Sequence, residues 1–98
     1  MTSESASDSP KEPLSVYAVL ATFVENLSSV AWSKLGLQPD MITGELLVNL
    51  DEAKVAIDAT ARLIEFLDAE LDENDRRQLQ SLIRDLRLNF VAKQRELQ

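Results

Sequence analysis

Apolar residues recur at helical spacing through three stretches of this chain and at every second position through a shorter fourth. In the first stretch, placing residues 100° apart gathers Val16, Val19, Leu20, Phe23, Val24, Leu27, Val30 and Ala31 on one arc, with Tyr17 and Leu35 at its edge. Thr22, Glu25, Asn26, Ser29 and Ser33 lie opposite. The pattern predicts a first helix over about residues 14–35. Pro13 suits its entry. Gly36 suits the left-handed position just past its end, from which Leu37 can fold back on the last turn. Pro39 prevents resumption, and "QPDMITGE" reads as a turn-rich loop.

In "ELLVNLDEA", Leu46, Val48 and Leu50 alternate with Leu47 and Asn49, the period of a short strand or an extended crossing. Asp51 is then the expected cap of a second helix, with Glu52 favourable near its positive end. That helix is predicted over about residues 52–70. Its apolar positions, Val55, Ala56, Ile57, Ala59, Leu63, Ile64, Phe66 and Leu67, spread over roughly 200°, against the ~100° stripe of a helix with one buried contact. Lys54, Asp58, Arg62 and Glu65 form the remaining charged strip. After the short break "LDEND", Asp72 is the expected cap of a third helix, with Asp75 three positions on as a capping-box variant. Leu79, Leu82, Ile83, Leu86, Phe90 and Leu97 share one face of this helix, predicted from about Glu73 to Arg95. A break so short makes the second and third helices an antiparallel hairpin. The expected fold is all-α: a three-helix bundle with that hairpin and a short extended segment between the first two helices.

The length of 98 residues leaves room for one domain, placed at residues 14–98. The leading segment, residues 1–13, "MTSESASDSPKEP", is polar and is expected to be a disordered tail and not a secretory signal. No run approaches the roughly 18 apolar residues of a membrane span. With 17 acidic and 10 basic side chains the net charge is −7, which disfavours nucleic acid and anionic membranes as partners. The chain has neither cysteine nor histidine, which excludes disulfides, cysteine–histidine zinc sites and histidine general-base catalysis. A cytoplasmic location is the resulting expectation.

Candidate chemistry is thin. In "DAELDEND", Asp68, Glu70 and Asp72 fall at positions one, three and five of a calcium loop. Glu73 stands where glycine is needed and Leu79 where the closing glutamate is needed, so a solvated turn with capping acids is the better reading. Arg76, Arg77, Arg84, Arg87 and Arg95 cluster on one side of the third helix. They would either meet phosphates or cover the core edge and pair with neighbouring acids. The net charge favours the second use. Serines have no histidine partner for a triad, no carboxylate pair sits in an apolar run, and two glycines cannot form a phosphate loop. No enzymatic activity, cofactor or metal is expected.

The apolar arcs of the first two helices exceed what a single bundle of this size covers. Tyr17, Trp32, Leu46, Leu47 and Leu88 are the excess, with Ala18 and Ala21 small enough to admit another backbone. Leaving such area wet forfeits several kcal/mol at about 25 cal/mol per Å². The expected role is a non-catalytic interaction protein that self-associates, a twofold dimer being favoured, with an unidentified protein as a further partner. A monomer with exposed leucines is the plainer alternative. Two other roles compete: nucleic-acid association through the arginine row, and binding of an apolar small molecule between the helices.

Four phrases also carry a resemblance: the first helix ending in "LGL", the loop "PDMITGE", "VNLDEAKVAID" and the closing "LIRDLRLNFV". Over about residues 14–92 the chain resembles the bacterial family catalogued as domain of unknown function 1844. The resemblance implies a compact helical protein and no assigned activity, and it carries over no catalytic or binding residue.

Overall fold

The computed structural model describes residues 12–98, so the expected disordered tail lies outside the described residues apart from its last two positions. Among the described residues there are three α-helices, α1 (Val16–Lys34), α2 (Leu50–Leu67) and α3 (Glu73–Glu96), with a one-turn 3-10 helix at Asp68–Glu70.

Local chemistry sets the ends. Ser15 caps α1, its hydroxyl oxygen accepting from the amides of Tyr17 and Ala18 at 3.1 and 3.4 Å. At the other end Gly36 adopts φ 78°. The amide of Leu37 then reaches back to the Trp32 carbonyl (3.0 Å), and that of Gly36 to Ser33 (2.9 Å), the double closure of a Schellman end. The cap of α2 is Asn49, not Asp51: its side-chain oxygen accepts from the Glu52 amide at 3.1 Å. The helix therefore starts two residues early, and Asp51 and Glu52 occupy its first turn, where the dipole favours them. Asp72 caps α3 as expected, accepting from the Asp75 amide at 2.8 Å. The predicted end of α2 at Glu70 is one turn too long as α-helix; residues 68–70 tighten to the 3-10 form.

The extended segment survives as a single antiparallel bridge between Leu35 and Val48. Beside it the Asn49 amide donates to the Lys34 carbonyl at 2.8 Å. This bridge brings the start of α2 against the end of α1, so the two helices run antiparallel. Arg87 facing Asp58 and Arg76 facing Asp68 make α3 antiparallel to α2 in turn. The most extensive interface joins α1 and α2, and the α2–α3 seam is lighter. Thus α2 lies in the middle, which accounts for much of its 200° arc.

The core runs along both seams. Val24, Ala31 and Leu35 of the first layer meet Ala53, Ala56, Ile57, Ile64 and Leu67 of α2, and Ile83 and Leu86 close it from α3. Small side chains at Ala31, Ala53, Ala56 and Thr60 are what let α1 and α2 approach; Ala18 and Ala21, expected to serve a close contact, are exposed. Thr60 is fully buried, and its hydroxyl donates to the Ala56 carbonyl at 2.7 Å, which satisfies the polar atom inside the core. The molecule is elongated, 57 × 33 × 18 Å, and thin in one direction.

Candidate interaction surfaces

The loop between α1 and α2 is built on Asp40. One carboxylate oxygen accepts from the amides of Ile42 (2.8 Å) and Thr43 (2.9 Å), and the Asp40 amide donates to the Glu45 carbonyl (2.8 Å). Those two amides, Thr43 first, hold the Asp40 carboxyl below the usual value, against a small opposing push from burial. This order keeps Met41 and Ile42 turned outward beside Val30, Ser33 and Lys34 of α1. At the base of the loop Nζ of Lys34 lies 2.9 Å from Glu52, whose hydrogen bond and charge raise the lysine pKa.

The arginine row divides on inspection. Arg76 is a staple of the α2–α3 turn. Its guanidinium donates to Asp68 (2.9 Å), to Glu73 (3.1 Å) and to the carbonyls of Asp68 and Leu71 (3.0 and 3.2 Å), and the Asp68 contact in particular raises its pKa. Arg87 stands 4.0 Å from Asp58, and Arg84 donates to the Ser81 hydroxyl at 3.1 Å. Arg77 and Arg95 are exposed and make no ion pair among the described residues. The acidic tract works as turn chemistry, with Asp68 on Arg76 and Asp72 on the helix end. No group of acids that could hold a metal ion occurs among the described residues.

Arg84 and Arg87 rim a groove of about 610 Å³ between α2 and α3, floored by Ala61, Ile64, Ile83, Leu88 and Val91. A second hollow of about 270 Å³ continues it past Arg87 and Val91 to Lys54 and Phe90. Both are open surface features, not the enclosed dry chamber that would suit an apolar small molecule.

The residues expected to cover self-association are spread over α1, the segment before α2, and α3. Tyr17 and Ala21 are exposed on α1, Leu46 and Leu47 are exposed in the segment before α2, and Leu88 belongs to the α2–α3 groove. Trp32 is half-buried against the core. Other large apolar side chains that sequence reasoning assigned to core arcs stand in solvent: Val16 is 61% exposed, Phe23 50%, Val55 68% and Phe66 59%. The only sequence signal for them was the breadth of the arcs, which does not say which part goes uncovered.

The fold and surfaces define an all-α protein with two antiparallel helix pairs sharing a central helix, a class whose visible feature is unpaired apolar surface. Within that class, residues 17–92 match the family described as domain of unknown function (DUF1844), and the chain belongs to it. No curated protein and no solved structure matches the chain. No helix among the described residues is long and apolar enough to cross a membrane.

Proposed function

We propose that this protein is a non-catalytic, self-associating helical interaction module of the cytoplasm, with room to dock a further protein. The observation that supports the reading is the exposure of large apolar side chains on all three helices and the connecting loop. Fully burying a side chain of this size stabilises by about 1.5–3 kcal/mol, and a domain this small has a total stability of the order of 5–15 kcal/mol. Covering several such side chains by association is therefore a large gain on that scale. Against nucleic acid stand the net charge of −7 and the engagement of Arg76 and Arg87 with acids.

The test is the mass in solution. Sedimentation equilibrium on the full chain is expected to return about twice the 11.0 kDa of one chain. A single-chain mass up to millimolar concentration sinks the proposal.

A further inference from the structure

We infer that the copies meet through one flank of the α1–α2 pair, the flank carrying Val16, Phe23, Met41, Ile42, Val55 and Phe66. This deepens the self-association proposed above and rests on it. It also relocates the contact, since none of these six was among the residues expected from sequence.

Helical geometry puts them together. At 100° per residue, Val16 and Phe23 fall on the same flank of α1 as Lys34, and Val55 and Phe66 on the same flank of α2 as Glu52. The Lys34–Glu52 ion pair at 2.9 Å shows that these two flanks point to one side of the pair. Met41 and Ile42 extend that side, because they border the same hollow as Val30 and Lys34. The side of α2 that carries Ile57, Ala61 and Ile64 is the one α3 occupies, and Arg87 of α3 reaches to within 4.0 Å of Asp58 at the near edge of the flank. The flank is thus a largely apolar surface, with Arg62 over Phe66 at its edge, that no element among the described residues covers.

Area and charge identify a second copy as the occupant. A side chain of this kind carries about 60–120 Å² of apolar surface. At the observed exposures of 50–91% the six present on the order of 400 Å². Two copies would bury about 800 Å² of apolar area. A standard interface of about 1,600 Å² that is near 57% apolar requires about 900 Å². Two molecules of net charge −7 repel each other unless the touching surface is neutral. Here the named charges pair off: Glu25 lies on the far side of α1, Lys34 is paired with Glu52, and Arg62, whose guanidinium stands over the Phe66 ring at 5.9 Å, is paired with Glu65 at 3.6 Å. A neutral, apolar, self-complementary patch is what a twofold contact needs.

The experiment is sedimentation of the full chain carrying Val55→Glu with Phe66→Glu, beside Leu88→Glu in the α2–α3 groove as control. The expected result is a single-chain mass for the double variant with the wild-type helical circular dichroism, and an unchanged dimer for L88E. Should the double variant lose helix, Val55→Ser takes its place, and at least a tenfold weaker dimer is expected. A double variant that remains dimeric overturns the assignment of the flank and leaves self-association standing. A wild-type chain that is monomeric overturns both.

Discussion

A Cβ placed on Gly36 would lie 2.6 Å from Cγ2 of Val48, so the residue that ends α1 is held against the bridge that starts the approach to α2. Two independent constraints meet there. The left-handed φ of 78° disfavours any L side chain, and the neighbour occupies the space the side chain would need. Gly36→Ala is expected to cost about 1–3 kcal/mol in urea unfolding. Combining it with Val48→Ala is expected to recover the steric part only. Full recovery in the double variant would show that the backbone conformation carries no strain. Gly44, also left-handed but with no atom near its missing Cβ, is expected to give the smaller loss.

Leu86 is the more deeply buried of the two buried anchors that hold α3 to the rest of the molecule, the other being Ile83. Leu86→Ala is expected to destabilise by about 2–5 kcal/mol. Because the α2–α3 seam is the lighter one, amide exchange along α3 is expected to accelerate before that of α1. Uniform acceleration through all three helices would mean that the chain unfolds as a single unit.

Arg76 and Arg77 are adjacent but differ in kind. The former is half-buried and joins α2, the 3-10 turn and α3; the latter is exposed. Arg76→Ala is expected to lower the melting temperature clearly more than Arg77→Ala. Arg76→Lys should recover only part, since a point charge cannot reproduce four directed bonds. Equal losses from the two alanine variants would remove the staple role.

Asp40 contributes a pH signature. Its folded pKa is held below the ordinary 3.8, chiefly by the amides of Thr43 and Ile42. Between those values the unfolded chain binds more protons than the folded one, so stability rises with pH. The contribution is complete above 3.8 and fades as pH falls through the lower folded value. The stability gap between wild type and Asp40→Ala is therefore expected to narrow in that acid window and to be flat above it. A gap independent of pH would assign the effect to loop packing alone.

The arginine row gives a negative expectation. With Arg76 bound to Asp68 and Glu73, and Arg87 facing Asp58, labelled nucleic acid is expected to show no salt-sensitive mobility shift with the full chain. A shift that falls steeply with added salt, and is lost in the combined Arg77→Ala and Arg84→Ala variant, would restore phosphate recognition by α3.

Local chemistry was legible from sequence because it is decided within a few residues. The 3.6-residue period fixed three helices, Asp72 and Gly36 fixed two of their ends, and Pro39, Asp40 and Gly44 marked the loop between the first two helices. Asn49 was passed over in favour of Asp51 because both are good caps. The choice fell to the Asn49 amide, which bonds the Lys34 carbonyl and so needs an extended residue there. The central seam residues Ala53 and Thr60 were also passed over, since a small or hydroxylated side chain adds little to a hydrophobic pattern although it lets helices approach.

The sequence by itself determined which residues are apolar, which lie on the same side of a helix, and that the total exceeds the needs of one small core. Only the tertiary structure decided which of them remain uncovered. An arc on a wheel has no memory of where neighbouring helices sit. With α3 packed on one side of α2, Leu88 went to an open groove and Trp32 half into the core. Phe23, Val55 and Phe66, indistinguishable in pattern from core residues, were left facing water.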